Sequence, residues 1–357
     1  MSATTTFVIL SIIKSVAVIF VLLTAVAYSV WLERKVSARI QNRWGPTRVG
    51  PFGLLQPLAD GIKFIFKEDL MLPHVYKPLY IAAPIIAVLF SITSIAVIPF
   101  GNSLDIPAFH IGSWTVGPIS TPFQVAADSA GDINIGLLII LGITSMGVYG
   151  VALAGWASNS KYSLLGGLRA SAQMVSYEIA LGISLIPIMI KSESFSLRAI
   201  VDAQRHLQWN IVYVPFGTIA FFVYLISAYA ETNRTPFDLP EAESELVAGY
   251  HTEYSAMKFA MFFMAEYANM VTVACLATLL FFGGWLGPVF GPSWLQILLP
   301  VFWFCLKVFF FMFLYVWVRW TLPRFRYDQL MAFGWKVLLP MAIANLVVTA
   351  LYEALKA

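Results

Sequence analysis

Eight stretches of this chain stay apolar for about the 20 residues needed to cross roughly 30 Å of hydrocarbon. They lie near 8–31, 79–100, 135–156, 170–190, 211–230, 256–282, 297–318 and 336–355. The sixth and seventh are divided only by Gly283-Gly284-Trp285-Leu286-Gly287-Pro288 and Gly291-Pro292. Those Gly and Pro residues break what would otherwise be one implausibly long helix. The pattern predicts an all-α, polytopic membrane protein of eight transmembrane helices, with residues 1–357 forming a single integral membrane domain. No internal repeat, low-complexity tract or separate soluble domain is visible, so an inverted-repeat transporter gains no support.

A different periodicity occupies residues 54–67. Gln56, Asp60, Lys63 and Lys67 recur at helical spacing among Leu54, Leu55, Leu58, Ile62, Phe64, Ile65 and Phe66. A strongly amphipathic segment too short to span lies in the interface plane, and Pro57 suits its first turn. Amphipathicity alone leaves two roles open: a membrane anchor, or one wall of an entrance for a lipid-soluble ligand.

The charges orient the spans. Arg34, Lys35, Arg39, Arg43, Arg48, Lys63, Lys67 and Lys77 crowd the first loop, and alternate loops carry Lys161, Arg169, Arg234, Arg319, Arg324 and Arg326. On the other side, 101–134 and 283–294 hold no Lys or Arg, although Lys191, Arg198 and Arg205 dilute the contrast. Positive loops stay inside, so the N-terminus is expected on the outer (periplasmic) side. The first span is not expected to be a cleaved leader. It lacks a basic n-region and runs on to Leu32 before Glu33-Arg34-Lys35 stops it.

Composition narrows the chemistry. At 59% hydrophobic and 11% charged, the chain lies far from the soluble norm of about 25% charged. Its bases are spread over loops as topology signals, so no nucleic-acid partner is implied. Two cysteines, Cys275 and Cys305, sit in apolar helices without metal-ligand spacing. The four histidines (74, 110, 206 and 251) fall in loops or at helix ends, where they cannot ligate a haem between helices. No glycine-rich nucleotide fingerprint is present. The expectation is no metal, no cofactor and no catalytic redox residue bound by this chain.

Acids are the unusual feature. Glu231, Asp238, Glu241, Glu243, Glu245 and Glu253, six of 19 acidic residues, fall between Tyr229 and Tyr254 with Arg234 as the lone Arg or Lys. A charge run is ordinarily a solvated loop. Carboxylates crowded beside a low-dielectric region, however, have pKa values pushed toward neutrality, as proton-handling groups require. Glu178 and Glu266 lie within helical spans, each at a cost of about 2.5–3.5 kcal/mol at a helix centre. Such residues face polar pathways or glue helices by hydrogen bonds. Lys258 is expected to snorkel from a helix end, and the deeper Lys307 to pair with an acid.

Several strings carry a resemblance. They are Glu33-Arg34-Lys35, RWGPTRVGPFGLLQPLADGIK at 43–63, SNSKYSLLGGLRASAQMVSYE at 158–178, AETNRTPFDLPEAESELVAGYHTEYSAMKF at 230–259 and PRFRYDQLMAFGWK at 323–336. Together they resemble the H-type (mitochondrial subunit 1) membrane subunit family of respiratory complex I, NADH:quinone oxidoreductase, over nearly the whole chain. His251 stands where many members have Asn. The resemblance implies a quinone-binding, energy-coupling subunit that forms the quinone chamber with peripheral-arm subunits, beside small membrane subunits. Helices one and six and the amphipathic segment frame the chamber entrance in that family. By position, the chamber side includes Arg34, Arg39, Asp60 and Phe237, and the proton-coupling path includes Glu178, Glu231, Glu241, Glu243, Glu245 and Glu266. Quinone is substrate; FMN and iron–sulfur clusters belong to partner subunits. The expected location is a bacterial cell (inner) membrane rather than a mitochondrial one. An anchor subunit of a membrane-bound hydrogenase or other non-NADH dehydrogenase is the alternative.

Two structural expectations accompany this reading. Pro236 and Pro240 keep the fifth loop from being simple helix. Arg34, Lys35 and Arg39, on the same membrane side, are the expected counter-charges of the acids.

Overall fold

A computed structural model of the chain describes residues 3–101, 133–206, 208–239 and 247–356, with the backbone of short strands inside 103–122 and residues 124–125. Ten helices are used below: α1 (Ala3–Ile40), α2 (Gln56–Phe66), α3 (Lys77–Ile95), α4 (Gly136–Ala157), α5 (Lys161–Ser192), α6 (Leu197–Asp202), α7 (Phe216–Glu231), α8 (Ala256–Phe281), α9 (Ser293–Thr321) and α10 (Tyr327–Lys356). Seven are long and apolar enough to cross a membrane, namely α1, α3, α4, α5, α8, α9 and α10. The window at 211–230 becomes the shorter α7 of 16 residues. At about 1.5 Å per residue it reaches roughly 24 Å, short of the hydrocarbon thickness by itself.

Within 101–134 the described residues include four short strands. Ser103–Ile106 (β1) pairs antiparallel with Ile119–Pro122 (β4), and Phe109–Ile111 (β2) with Trp114–Val116 (β3). An all-helical chain was expected; this loop adds two short ribbons.

Helix packing places α8 at the centre and α1 at the edge. α8 contacts α1, α3, α7 and α9, while α5 contacts α4, α7 and α10. The α8 window is the most buried of the seven, and that of α1 the least. Close approach relies on missing side chains. A Cβ on Gly150 of α4 would meet the Ala87 Cβ of α3 at 2.8 Å, and one on Gly155 would meet the Ser163 carbonyl of α5 at 2.7 Å. Small residues let apolar helices approach backbone to backbone, which drives association where no hydrophobic force operates.

α2 follows the predicted amphipathic segment. None of its residues is buried, and Leu58, Ile62, Ile65 and Phe66 expose their apolar surface. It is held to the bundle through Asp60, described below.

The C-terminal end of α8 is buried, and the last carbonyls of any helix lack intrahelical donors. Three elements supply them here. Gln204 donates to the Leu279 carbonyl at 2.8 Å, and its Oε1 accepts from the Gly283 amide at 3.0 Å. Asn210 donates to the Leu280 carbonyl at 2.7 Å. Lys307 of α9 donates to the carbonyls of Phe282, Gly284 and Leu286 at 2.8, 2.9 and 2.8 Å. Gly283 and Gly284 turn the chain out with φ of +68° and +53°, a conformation that favours glycine. Lys307 was expected to pair with an acid; it binds the C-cap carbonyl of α8 and two carbonyls of the following turn instead, where the positive ammonium suits the negative end of the dipole. Lys258 pairs with Asp69 at 2.8 Å and lies 4.9 Å from the Tyr80 ring centroid.

Lys307→Met strands three carbonyls, at about 1–3 kcal/mol for each buried group left unsatisfied. Thermal unfolding of the purified protein in detergent is expected to shift clearly downward for this variant. Lys307→Arg, which keeps charge and donors, is expected to recover most of the loss.

Candidate functional site

The loop after α7 aims its one arginine inward. Gln173 of α5 donates to the carbonyls of Ala230 (2.8 Å) and Phe237 (2.7 Å) and to Asn233 Oδ1 (3.1 Å), tying both ends of the turn to one side chain. Asn233 takes a left-handed φ of 51°, which Asn tolerates better than most residues. The Phe237 amide donates to the Arg234 carbonyl at 2.8 Å and closes the turn. Arg234 is consequently buried, at 4% exposure.

Four chain segments meet around that guanidinium. Arg234 lies 3.5 Å from Glu33 Oε2 of α1 and contacts Glu266 of α8 through Nε. The Tyr267 ring lies under it at 4.3 Å, and the Tyr267 hydroxyl donates to Glu33 Oε2 at 2.5 Å. Arg319 of α9 pairs with the other Glu33 oxygen. Two carboxylates and two guanidiniums balance. Balance and dense hydrogen bonding are what a buried charge requires, since desolvation costs several kcal/mol per ion otherwise.

Glu266 also faces a cavity of about 30 Å³ lined by Ser91, Glu231, Thr232, Asn233 and Asn269 among others. A polar cavity needs only about 10–15 Å³ to hold a water with two to four partners. Glu231, at the end of α7, therefore shares a hydratable space with Glu266. Glu178 of α5 accepts the Ser145 hydroxyl of α4 and is close enough to Glu231 for the two charges to interact.

Comparison with known proteins decides the family. Residues 13–350 match the model of a family described as NADH dehydrogenase. The chain is 68% identical to the second H-type subunit of NADH-quinone oxidoreductase from Koribacter versatilis, over 98% of each chain. It is 49% identical to the first H-type subunit of the Solibacter usitatus NADH-quinone oxidoreductase over 98% of each. It is 50% identical to the second H-type subunit from Geobacter metallireducens, over 95% of this chain and 94% of that one. The chain belongs to the family of H-type subunits of NADH-quinone oxidoreductase.

The residues expected at the quinone side of this family member divide into three places. Arg34 binds Asp60 at 2.6 Å, with Gln56 holding the other Asp60 oxygen at 2.9 Å, so α1 grips α2. Arg39 lies over the Trp44 ring at 5.4 Å. Phe237 is buried, stacked on Phe325 (5.6 Å) and tilted to Tyr177 (5.9 Å). Of the six acids expected on the proton-coupling path, Glu231 and Glu266 share the cavity, Glu178 is within electrostatic reach of Glu231, and Glu241, Glu243 and Glu245 lie outside the described residues.

Glu241, Glu243 and Glu245, the loop acids that Arg34, Lys35 and Arg39 were expected to counter, lie outside the described residues, and the described contacts of the three bases are with other groups. Arg34 neutralises Asp60, Arg39 rests on an indole, and Lys35 lies 6.0 Å from the Trp31 centroid. The buried acids Glu33 and Glu266 are matched by Arg234 and Arg319 instead. Residue-by-residue reading passed over Glu33, Arg234, Arg319 and Tyr267 as site residues. A signal existed for Arg234, the one guanidinium inside an acidic loop. Glu33 and Arg319 read as ordinary span-end charges.

His251 is enclosed by Tyr250, Phe259 and Phe263, with ring centroids at 4.0, 5.8 and 5.8 Å. Burial pushes its pKa from 6.5 down to about 4. The neutral imidazole is the folded form, so the unfolded chain binds the extra proton between those values and stability falls as pH drops from about 6.5 to 4. His251→Asn is expected to flatten stability against pH by about 2 kcal/mol between pH 7 and pH 5, read from thermal melts at those two values.

Removing Glu266 alone leaves a guanidinium buried with one carboxylate fewer. Glu266→Gln is expected to cost about 3–5 kcal/mol through this unpaired charge, as is Arg234→Met. The pair of changes together is expected to cost less than the sum, and a double-mutant cycle on thermal stability measures the difference.

Proposed function

We propose that this chain forms the quinone chamber of a proton-translocating NADH:quinone oxidoreductase with peripheral-arm subunits, and links quinone reduction to proton movement. Its relatives are named as subunits of NADH-quinone oxidoreductase, which favours this over a hydrogenase anchor. The chain spans the membrane eight times, with the short α7 as one crossing and the N-terminus outside, in a bacterial inner membrane. FMN and iron–sulfur clusters belong to partner subunits; quinone and lipid are this chain's own small partners.

One observation carries the reading: Arg234 sits between Glu33 and Glu266. Glu33 adjoins Arg34, which grips the interfacial helix α2 through Asp60. Glu266 shares a hydratable cavity with Glu231. Quinone reduction consumes protons and changes the charge near Arg34 and Asp60. A change in how Arg234 divides itself between two carboxylates then alters the field on Glu266 and Glu231. Charge near Arg34 and Asp60 thus biases Arg234, the bistable element. Arg39 and Phe237 extend the chamber side, and Glu178, Glu241, Glu243 and Glu245 extend the acidic path.

Glu231→Gln tests the coupling most cleanly. Glutamine keeps the shape and hydrogen bonding of Glu231 and removes its titration. The assembled complex is expected to lose quinone reductase turnover and proton pumping together, while upstream reduction of ferricyanide by NADH survives. Wild-type turnover and proton-to-electron stoichiometry in reconstituted vesicles refute the role. Arg34→Lys keeps charge and loses the planar fork; lowered quinone reductase activity in the assembled complex is expected, measured against the same ferricyanide control.

A further inference from the structure

No residue of α2 is buried, so packing does little to fix where this helix lies. Polar ties to its two neighbours, α1 and α8, hold it instead. On the α1 side, Arg34 binds Asp60 at 2.6 Å. On the α8 side the tie lies just past the end of α2, where Lys258 binds Asp69 at 2.8 Å. The adjoining Leu70 amide donates to the Ser255 hydroxyl at 3.1 Å. α2 is therefore a strap from α1 to α8, fastened at both.

The α8 fastening is prepared by its surroundings. Ser255 is the N-cap of α8, where a serine oxygen ordinarily accepts an amide of its own first turn. Here it makes no such bond and takes the Leu70 amide. The Lys258 side chain is 13% exposed, with its ammonium 4.9 Å from the centroid of the fully buried Tyr80 ring. Tyr80 of α3 is itself fixed twice: its hydroxyl donates to the Glu253 carbonyl at 2.6 Å, and its ring stacks on Tyr254 at 4.2 Å. A lysine held over a ring has already lost much of its rotamer freedom, so pairing with Asp69 costs it less entropy. Farther along the connection, the Tyr76 amide donates to the Ala157 carbonyl at 3.0 Å and the His74 carbonyl accepts from Asn159 at 3.1 Å. That far end is anchored on its own, so movement released at Asp69 passes to α2.

We propose that Asp69 and Lys258 are positioning residues for quinone binding: with Arg34 they stretch α2 between α1 and α8 and so orient the Asp60 carboxylate on the chamber side. The role rests on the reading of Arg34 and Asp60 as chamber residues. Neither Asp69 nor Lys258 touches the quinone. With the α8 fastening gone, α2 swings about the single tie at Asp60, and the carboxylate samples orientations that do not suit the ligand. Restoring the order then falls on the binding step, as for any site that loses its preorganisation. The cost appears in KM rather than in the turnover of bound quinone.

The test uses the assembled complex in phospholipid vesicles, with NADH and a decyl-tailed ubiquinone as substrates. Lys258→Gln is expected to raise the quinone KM about fivefold, equivalent to about 1 kcal/mol and to the upper end for a partly exposed ion pair. Turnover at saturating quinone is expected to stay within about twofold, and NADH:ferricyanide reduction to be unchanged. Lys258→Arg keeps the charge and the cation over the Tyr80 ring and is expected to recover most of the KM. Asp69→Asn, at a half-exposed position, is expected to give the same split and serves if Lys258→Gln fails to assemble. Hydrogen–deuterium exchange of residues 56–70 is expected to quicken about fivefold in both variants, with α5 unchanged. Unaltered exchange of α2 overturns the proposal, as does lowered turnover at an unaltered KM. Asp60→Asn separates failure of the strap from failure of the chamber reading. A KM raised by Asp60→Asn but by neither strap variant overturns the proposal and leaves the chamber reading standing. A KM raised by none of the three overturns both.

Discussion

Arg234 has few places to go. A guanidinium at 4% exposure must be matched by carboxylates, and the match fixes where α1, α8 and α9 meet the loop after α7. Glu33, Glu266 and Arg319 come from three helices far apart in sequence, and Tyr267 supplies both a ring face and a hydroxyl. A buried pair is weak evidence for stability but strong evidence for a defined arrangement, because every broken contact strands a charge. Such a cluster is expensive to keep in an apolar protein. It lies next to a water-sized cavity that Glu231, Asn233 and Asn269 help to line.

Consecutive residues of α1 serve two sides. Glu33 points into the buried network and Arg34 to Asp60 of α2. Successive positions on an α-helix diverge by about 100° because the turn holds 3.6 residues, so a dipeptide can hold an interfacial helix with one side chain and a buried cluster with the next. At the C-terminal end of α8, Gln204, Asn210 and Lys307 secure the carbonyls. Polar side chains from other elements thus hold the central helix near its middle, at Glu266 and Tyr267, and again at its C-terminal end.

The spans were legible because hydrophobic runs in a bilayer protein answer to one dimension, the hydrocarbon thickness. Seven runs became helices of spanning length, and the 211–230 run shortened to α7, where Pro215 and the Thr232–Pro236 turn limit it. The amphipathic character of 54–67 survived as α2 because surface periodicity is local. Tertiary pairing was less legible. Glu266 stood out as a charge in an apolar run, but nothing local said that its partner was Arg234, or that Glu33 would turn inward while Arg34 turned out. Lys307 looked like half of an ion pair; helix-end carbonyls, which a sequence displays at every helix, took that role. The two ribbons in the 101–134 loop left no clear alternation to read.

The central claim is that charge at the Arg34–Asp60 side is felt at Glu231 through Arg234. Infrared difference spectroscopy of the assembled complex, recorded as bound quinone is reduced, measures this directly. The account predicts a carboxyl band that disappears in Glu231→Gln and is shifted or lost in Asp60→Asn, although Asp60 lies outside the cavity that Glu231 lines. A Glu231 band that responds to quinone reduction identically with and without the Asp60 carboxylate contradicts it.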